Sequence, residues 1–209
     1  MNITSIENAI DEVIKNKPQS SSRLSPVADF AIEQFDQHGL PGVKGGSGGE
    51  LRIGGLARSK DWDVAYDFAG KPRLLLSLKS IWNNAGGSVP NRIDDLMGEA
   101  SNVQQLSPEI VIGYIVLFDT KADSKRRTDD LNWSQFFEAA VKSVAIRRAP
   151  IWNQGLLEGT WFIRFDSRRS KGERILDPPK ASDEGDAFFS ALLRELKIRE
   201  PAIPFSKDP

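Results

Sequence analysis

Residues 110–118 read IVIGYIVLF, the longest apolar run in the chain. It falls well short of the roughly 20 apolar residues of a membrane-spanning helix, so it belongs inside a folded core. Its β-branched side chains favour a strand, and the absence of polar alternation means that both faces of that strand are buried. Such a strand has to lie in the middle of a sheet, with other elements covering it on each side. Pro108 stands just before it and blocks the upstream helical pattern from running on.

Elements able to supply that cover lie on either side of the run. Ile3, Ile6, Ala9, Ile10, Val13 and Ile14 recur at helical spacing. A second helix is expected over SPVADFAIEQFDQHG, with Ser25 as N-cap, Pro26 at the first helical position and Gly39 as its stop. The stretch GVKGGSGGE at 42–50 lacks the lysine-serine/threonine ending of a phosphate-binding loop and reads as a mobile, lid-like loop. DWDVAYDF at 61–68 and RLLLSLKS at 73–80, separated by Ala69-Gly70-Lys71-Pro72, read as a β-hairpin. After the polar loop NNAGGSVP, a helix is expected from Asn91, its N-cap, with Asp94 in a capping-box position. A charged loop over 119–132, a helix from about Trp133 to Arg148, a strand at 160–165, a last helix at 186–198 and an irregular tail at 201–209 complete the chain. The order α, α, β, β, α, β, α, β, α predicts an α/β (α+β) fold, a mixed sheet flanked by helices.

Charge and composition remove several function classes. Lys and Arg number 28 against 29 Asp and Glu, so the formal net charge is −1 and bulk electrostatics do not single out a polyanionic partner. The basic residues are nonetheless clustered at Lys125-Arg126-Arg127, Arg147-Arg148 and Arg168-Arg169, the last with Lys171 and Arg174 nearby. Brought together they would form a phosphate-contacting rim; kept apart, each is ordinary solvated surface. The chain has no cysteine, which rules out disulfides and thiolate metal sites and agrees with a cytoplasmic location. The single histidine, His38, precedes Gly39-Leu40-Pro41-Gly42 and reads as a helix-end residue, so a histidine-rich zinc site is excluded. The amphipathic N-terminus lacks the layout of a signal peptide, and no membrane partner is expected.

The hairpin carries the candidate chemistry. Strand alternation places Leu75, Ser77 and Lys79 on one face and Leu74, Leu76 and Leu78 on the other. On the partner strand it sets Asp61, Asp63, Ala65 and Asp67 opposite Trp62, Val64, Tyr66 and Phe68. Burying the large apolar side chains therefore brings aspartates and a lysine to one surface. Carboxylates on one strand and a lysine on the next is a layout for metal-dependent phosphodiester hydrolysis. Carboxylates hold magnesium, the metal lowers the pKa of a bound water, and the lysine orients that water or adds positive charge. A solvated hairpin face with ordinary ion pairs has the same spacing, so spacing alone leaves both readings open.

The stretch SKDWDVAYDFAGKPRLLLSLKS resembles the core of the PD-(D/E)xK nucleases, where an aspartate starts one strand and an acid-x-lysine triplet ends the next. GLPG at 39–42, KDWD at 60–63, Lys79-Ser80 and NRIDD at 91–95 are similar, in order and spacing, to XhoI-type restriction endonucleases. The resemblance spans about residues 39–118 and implies a restriction-endonuclease-like fold over 1–209. In that fold 1–40 supplies N-terminal helices, 41–166 the catalytic core, and 167–209 a last helix and tail. It implies a Mg²⁺-dependent endonuclease acting on double-stranded DNA, working as a homodimer because two-fold protein symmetry matches palindromic DNA.

Carried over residue by residue, the resemblance makes Asp63 the metal-binding aspartate, with Asp61 as its neighbouring competitor, and Lys79 the catalytic lysine. Ser77 departs from it, standing where the family has its second acid, and serine cannot replace an ionised carboxylate as a metal ligand. Either the acid has migrated to the following helix, with Glu99 or Asp95 as the metal ligand and Ser77 as a supporting hydrogen bonder, or the fold only binds. Asp95 and Glu99 are four residues apart and share a helix face, with Arg92 three before Asp95. Ile93, Met97, Ala100 and Val103 are expected to form the opposing apolar stripe, and Glu50 is an upstream candidate for an accessory acid. Arg92 and the clusters Lys125, Arg126, Arg127, Arg147, Arg148, Arg168 and Arg169 are the expected DNA contacts.

Overall fold

The computed structural model describes residues 1–16, 22–150 and 154–207. Two helices open the chain, α1 (Ile3–Lys15) and α2 (Ser25–Gln37), followed by three short strands, β1 (Lys44–Gly45), β2 (Leu51–Ile53) and β3 (Lys60–Trp62). Then come β4 (Val64–Phe68), β5 (Lys71–Ile81), α3 (Ala85–Leu106), β6 (Val111–Asp119), α4 (Trp133–Val144), β7 (Gly159–Phe165) and α5 (Pro178–Arg199). The main sheet runs β1-β4-β5-β6-β7, while β2 and β3 pair apart from it. β1–β4 and β4–β5 pair antiparallel, and β5–β6 and β6–β7 pair parallel.

The run IVIGYIVLF supplies β6, and both of its faces are covered. Val111, Ile115 and Leu117 pack with α1, α2 and α5, and Ile112, Tyr114, Val116 and Phe118 pack with α3 and α4. Parallel neighbours need crossover helices, and α3 (β5 to β6) and α4 (β6 to β7) lie on the same face. Gly113 is what allows α5 to come close on the other face, since a Cβ there would stand 2.7 Å from Leu192 and 2.9 Å from Phe188. This is the mixed sheet flanked by helices that the element order predicts. Among the described residues, no helix is long and apolar enough to cross a membrane.

Several boundaries differ from the sequence reading. α3 starts at Ala85, not Asn91, and NNAGGSVP supplies its first turns with Pro90 inside the helix. Asn84 is the cap, and Asp94 is an exposed side chain rather than part of a capping box. Gly86, Gly87 and Pro90 all disfavour helix, but burying Ala85 and Val89 against the sheet overrides that local cost. On the same helix Leu96, not Met97, faces the core, and Met97 is exposed. α4 stops at Val144, whose carbonyl accepts from the N–H groups of Leu156 and Leu157. α5 starts earlier than expected, at Pro178, behind an Asp177 side chain that accepts from the Lys180 N–H. The tail is irregular over 201–207, and its last two residues lie outside the described residues.

The glycine stretch is a tied segment rather than a mobile lid. Lys44 and Gly45 pair with Ala65 and Val64 as an edge strand, and both the N–H and the hydroxyl of Ser47 donate to the Asp29 carboxylate on α2. Gly45 has φ +132°, and a Cβ there would lie 2.1 Å from the Asp63 carbonyl oxygen, so only glycine fits.

A buried ion network holds the end of the sheet where β6 begins. Glu158 is fully buried, and its Oε1 accepts from Arg147 Nη1 at 2.7 Å and Arg199 Nη2 at 2.8 Å. Its Oε2 accepts from the Ile112 N–H at 2.6 Å. Removing one member of such a group leaves buried charge uncompensated. Glu158→Ala is therefore expected to lower the unfolding free energy by about 3–5 kcal/mol in urea titrations, and Glu158→Gln by less. A loss below about 1 kcal/mol for the alanine variant would assign the network no structural role.

Candidate active site

The pleat of β5 sets out the site. Leu74, Leu76 and Leu78 point to the α1/α2/α5 face, while Leu75, Ser77 and Lys79 point toward α3. α3 buries Leu96, Ala100 and Val103 against the sheet, and the same side carries Glu99, whose exposure is only 6%. Glu99 Oε2 accepts from the Ser77 hydroxyl at 3.4 Å. Glu99 Oε1 lies 3.4 Å from Lys79 Nζ and 2.8 Å from Lys60 Nζ. A carboxylate this buried needs compensating charge, and the two ammonium groups supply it. Glu99 thus stands against Ser77 from the neighbouring helix.

Asp63 arrives by a break in the expected hairpin. The chain bends there, so β3 and β4 belong to different sheets rather than forming one strand over 61–68. The predicted alternation fails at this bend: Trp62 packs on the α3 side, whereas Val64 and Tyr66 pack on the other. The β4–β5 ladder ends at Val64↔Leu76, and the next free donor, the Leu78 N–H, gives its hydrogen bond to Asp63 Oδ2 at 2.8 Å. The Asp63 carbonyl accepts from the Gly46 N–H at 3.1 Å, so the glycine segment holds the bend in place. Asp61 also lines the cleft but is exposed and paired with Arg52 across β2–β3, and Asp67 is exposed beyond a register shift.

Asp63 and Lys79 line a cleft of about 450 Å³ together with Glu50, Lys60 and Arg92. Burial pushes the Asp63 carboxyl up to about 6; the Leu78 hydrogen bond and Lys79 oppose the rise, while Glu50 and Glu99 add to it. Burial, then the charge of Glu99, likewise raises the Tyr114 hydroxyl beneath the site. Asp63 is therefore a carboxylate short of positive charge, in an open cleft beside two other carboxylates. Among the described residues, no three His, Cys, Asp or Glu side chains form a ready-made metal cluster. Magnesium does not require one, because it commonly takes one or two carboxylates together with waters and phosphate oxygens. The under-compensated Asp63 and the hard oxygens of Glu99 fit that donor set.

Compared with protein-family models and with curated proteins, the chain matches none.

The remaining predicted residues divide by the end of the sheet they occupy. Asp95 is exposed and paired with Arg92 at 2.9 Å, so it does not join Asp63, Ser77, Lys79 and Glu99, whereas Arg92 does line the cleft. Lys125, Arg126 and Arg127 follow β6, and Arg168 and Arg169 follow β7. Both groups therefore lie at the same end of the parallel strands as Lys79. Arg126 pairs with Asp129 at 2.7 Å and lies 3.6 Å over the Phe136 ring. Arg168 grips Asp166 through two nitrogens, and those bonds hold the Asp166 carboxyl down at about 2. Arg147 and Arg148 precede β7 and lie at the opposite end. Arg147 is only 1% exposed within the Glu158 network, so its guanidinium cannot reach DNA, and Arg148 is 3.8 Å from Glu195. His38 is a helix-end residue, with Nδ1 2.7 Å from the Gln34 carbonyl oxygen.

Three cleft residues carried no assignment from sequence. Lys60 belongs to the KDWD stretch, so its motif was visible while its target on α3 was not. Arg23 stacks 4.0 Å over the Trp82 ring at the cleft, a pairing of distant segments that no local pattern signals.

Asp63 also predicts a pH effect on stability. Its folded value of about 6 lies above the ordinary 3.8. Its stabilising contribution is therefore fully present below about pH 4 and is lost as pH rises to about 6. Asp63→Asn, which can still accept from Leu78, is expected to raise the thermal midpoint by a few degrees at pH 8. Thermal melts across pH should show that gain vanish near pH 4, and an equal gain at both pH values would contradict the assignment.

Proposed function

We propose that this protein is a Mg²⁺-dependent endonuclease of restriction type that hydrolyses phosphodiester bonds in double-stranded DNA. The observation that carries the reading is Glu99. A carboxylate from α3 meets both Ser77 and Lys79 on β5, where the nuclease pattern lacks its second strand acid. The resemblance of KDWD, Lys79-Ser80 and NRIDD to restriction endonucleases supports the same reading. By that resemblance the chain acts as a cytoplasmic homodimer on palindromic DNA.

In this proposal Asp63 and Glu99 hold the metal. When bound, Mg²⁺ supplies Lewis-acid stabilisation of phosphate charge and lowers the pKa of a water. Lys79, half-buried beside Glu99, keeps an ammonium beside the reacting phosphate. There it orients the attacking water and offsets the charge that builds on the non-bridging oxygens. Ser77 fixes the Glu99 carboxylate by hydrogen bonding. Water adds to phosphorus as the bond to one ester oxygen breaks, leaving a terminal phosphate and a hydroxyl. Arg92 and the basic groups after β6 and β7 hold the flanking backbone, contacts that weaken with salt.

Incubation with phage or plasmid DNA and Mg²⁺, followed by sequencing of the ends, tests the proposal directly. Lys79→Ala and Glu99→Ala are each expected to lose about 10²-fold or more of cleavage while still binding DNA. Asp95→Ala should cleave normally. Because Ser77 and Glu99 are in contact, the exchange Ser77→Glu with Glu99→Ser should recover activity over Glu99→Ser alone. DNA binding without Mg²⁺- or Mn²⁺-dependent nicking would instead favour a nuclease-like fold that only binds, and full cleavage by Lys79→Ala would remove the proposed mechanism.

A further inference from the structure

We propose that Lys60 is a displaceable stand-in for the divalent cation on Glu99, holding that carboxylate in place until the metal arrives and then turning to the substrate phosphate. The inference rests on the metal-dependent reading above and assigns a role to a residue that the reading leaves idle.

Two ammonium groups share one oxygen: Glu99 Oε1 lies 2.8 Å from Lys60 and 3.4 Å from Lys79. One carboxylate is neutralised by one of them, and the second is held against like-charge repulsion. The shorter contact is made by the more exposed lysine, since the Lys60 side chain is 35% exposed and the Lys79 side chain 15%. Lys79 is fixed on β5 of the main sheet, where its backbone pairs with Val116 of β6. Lys60 opens β3, a three-residue strand of the small separate sheet, and lines the cleft.

The backbone beneath Lys60 is tied to the helix that carries Glu99. The Asn102 side chain accepts from the Ala57 N–H and donates to the Arg58 carbonyl, both at 2.8 Å, and the Asn102 backbone carbonyl accepts from the Leu56 N–H. Lys60 can therefore leave Glu99 by rotating its flexible four-carbon side chain, with no change in the fold. A divalent cation on the same oxygen would repel the ammonium, so the two contacts exclude one another. By linkage, each then weakens the other by the same factor. Once released, the ammonium remains in the cleft that holds Asp63 and Lys79, where a phosphate would take it up.

The test is isothermal titration of the 209-residue chain with MnCl₂ in the absence of DNA. Lys60→Met is expected to bind Mn²⁺ about tenfold or more tightly than the wild type, the scale on which groups around a ligand tune metal affinity. Lys60→Gln, which keeps a donor to Glu99 without the charge, guards against a folding defect and should move in the same direction. Binding to a short DNA duplex in Ca²⁺ should weaken in both variants. If the wild type binds Mn²⁺ and neither variant binds it more tightly, the stand-in role is overturned while the nuclease reading survives. If wild type and variants all fail to bind Mn²⁺, both fall.

Discussion

The burial of β6 on both faces organises the molecule. β6 also runs parallel to both of its neighbours, so the chain leaving β5 has to climb over the sheet as α3 before β6 can begin. The face it crosses is the one bearing Leu75, Ser77 and Lys79. Glu99 stands against Ser77 because the helix that covers this face of the core carries it on its buried side. Gly113 and the Glu158 ion network maintain the same arrangement from the opposite face and the opposite end of the sheet.

Charge in the cleft is unevenly distributed. Glu99 has two ammonium groups on one oxygen, while Asp63 has a single backbone hydrogen bond and the more distant charge of Lys79 against burial and two carboxylates nearby. A protein selected for stability alone would even this out. On the proposed metal-dependent reading the imbalance has a use, because burial disfavours the ionised form of Asp63 until positive charge is supplied. The surrounding structure tolerates it because the Asp63 backbone is pinned by Gly46 and its side chain by Leu78.

The parts of the site that lie on one regular element were legible in advance. Period-two alternation along β5 separated Ser77 and Lys79 from three leucines, and the structure places them that way. The bend at Asp63 was not legible, because DWDVAYDF alternates as one strand, and it is the pairing of β3 with β2 that divides it. The start of α3 was hidden by glycines and a proline that only burial of Ala85 and Val89 overrules. Arg147 and Arg148 look like any other basic pair in sequence, yet they fall at the far end of the sheet, with Arg147 inside the core.

By itself, the sequence determined the class of fold, the buried central strand, and the residue types available for chemistry: hard oxygen donors and lysines, with no cysteine and one histidine. Those follow from local periodicity and composition, which a linear chain carries in full. Tertiary structure alone buried Glu99 against Ser77 and Lys79 while leaving Asp95 exposed, brought Lys60 onto Glu99, and split the basic clusters between the two ends of the sheet. On an isolated helix Asp95 and Glu99 are neighbours four residues apart and equivalent candidates. Only packing of that helix on the sheet turns one to the core and leaves the other in water.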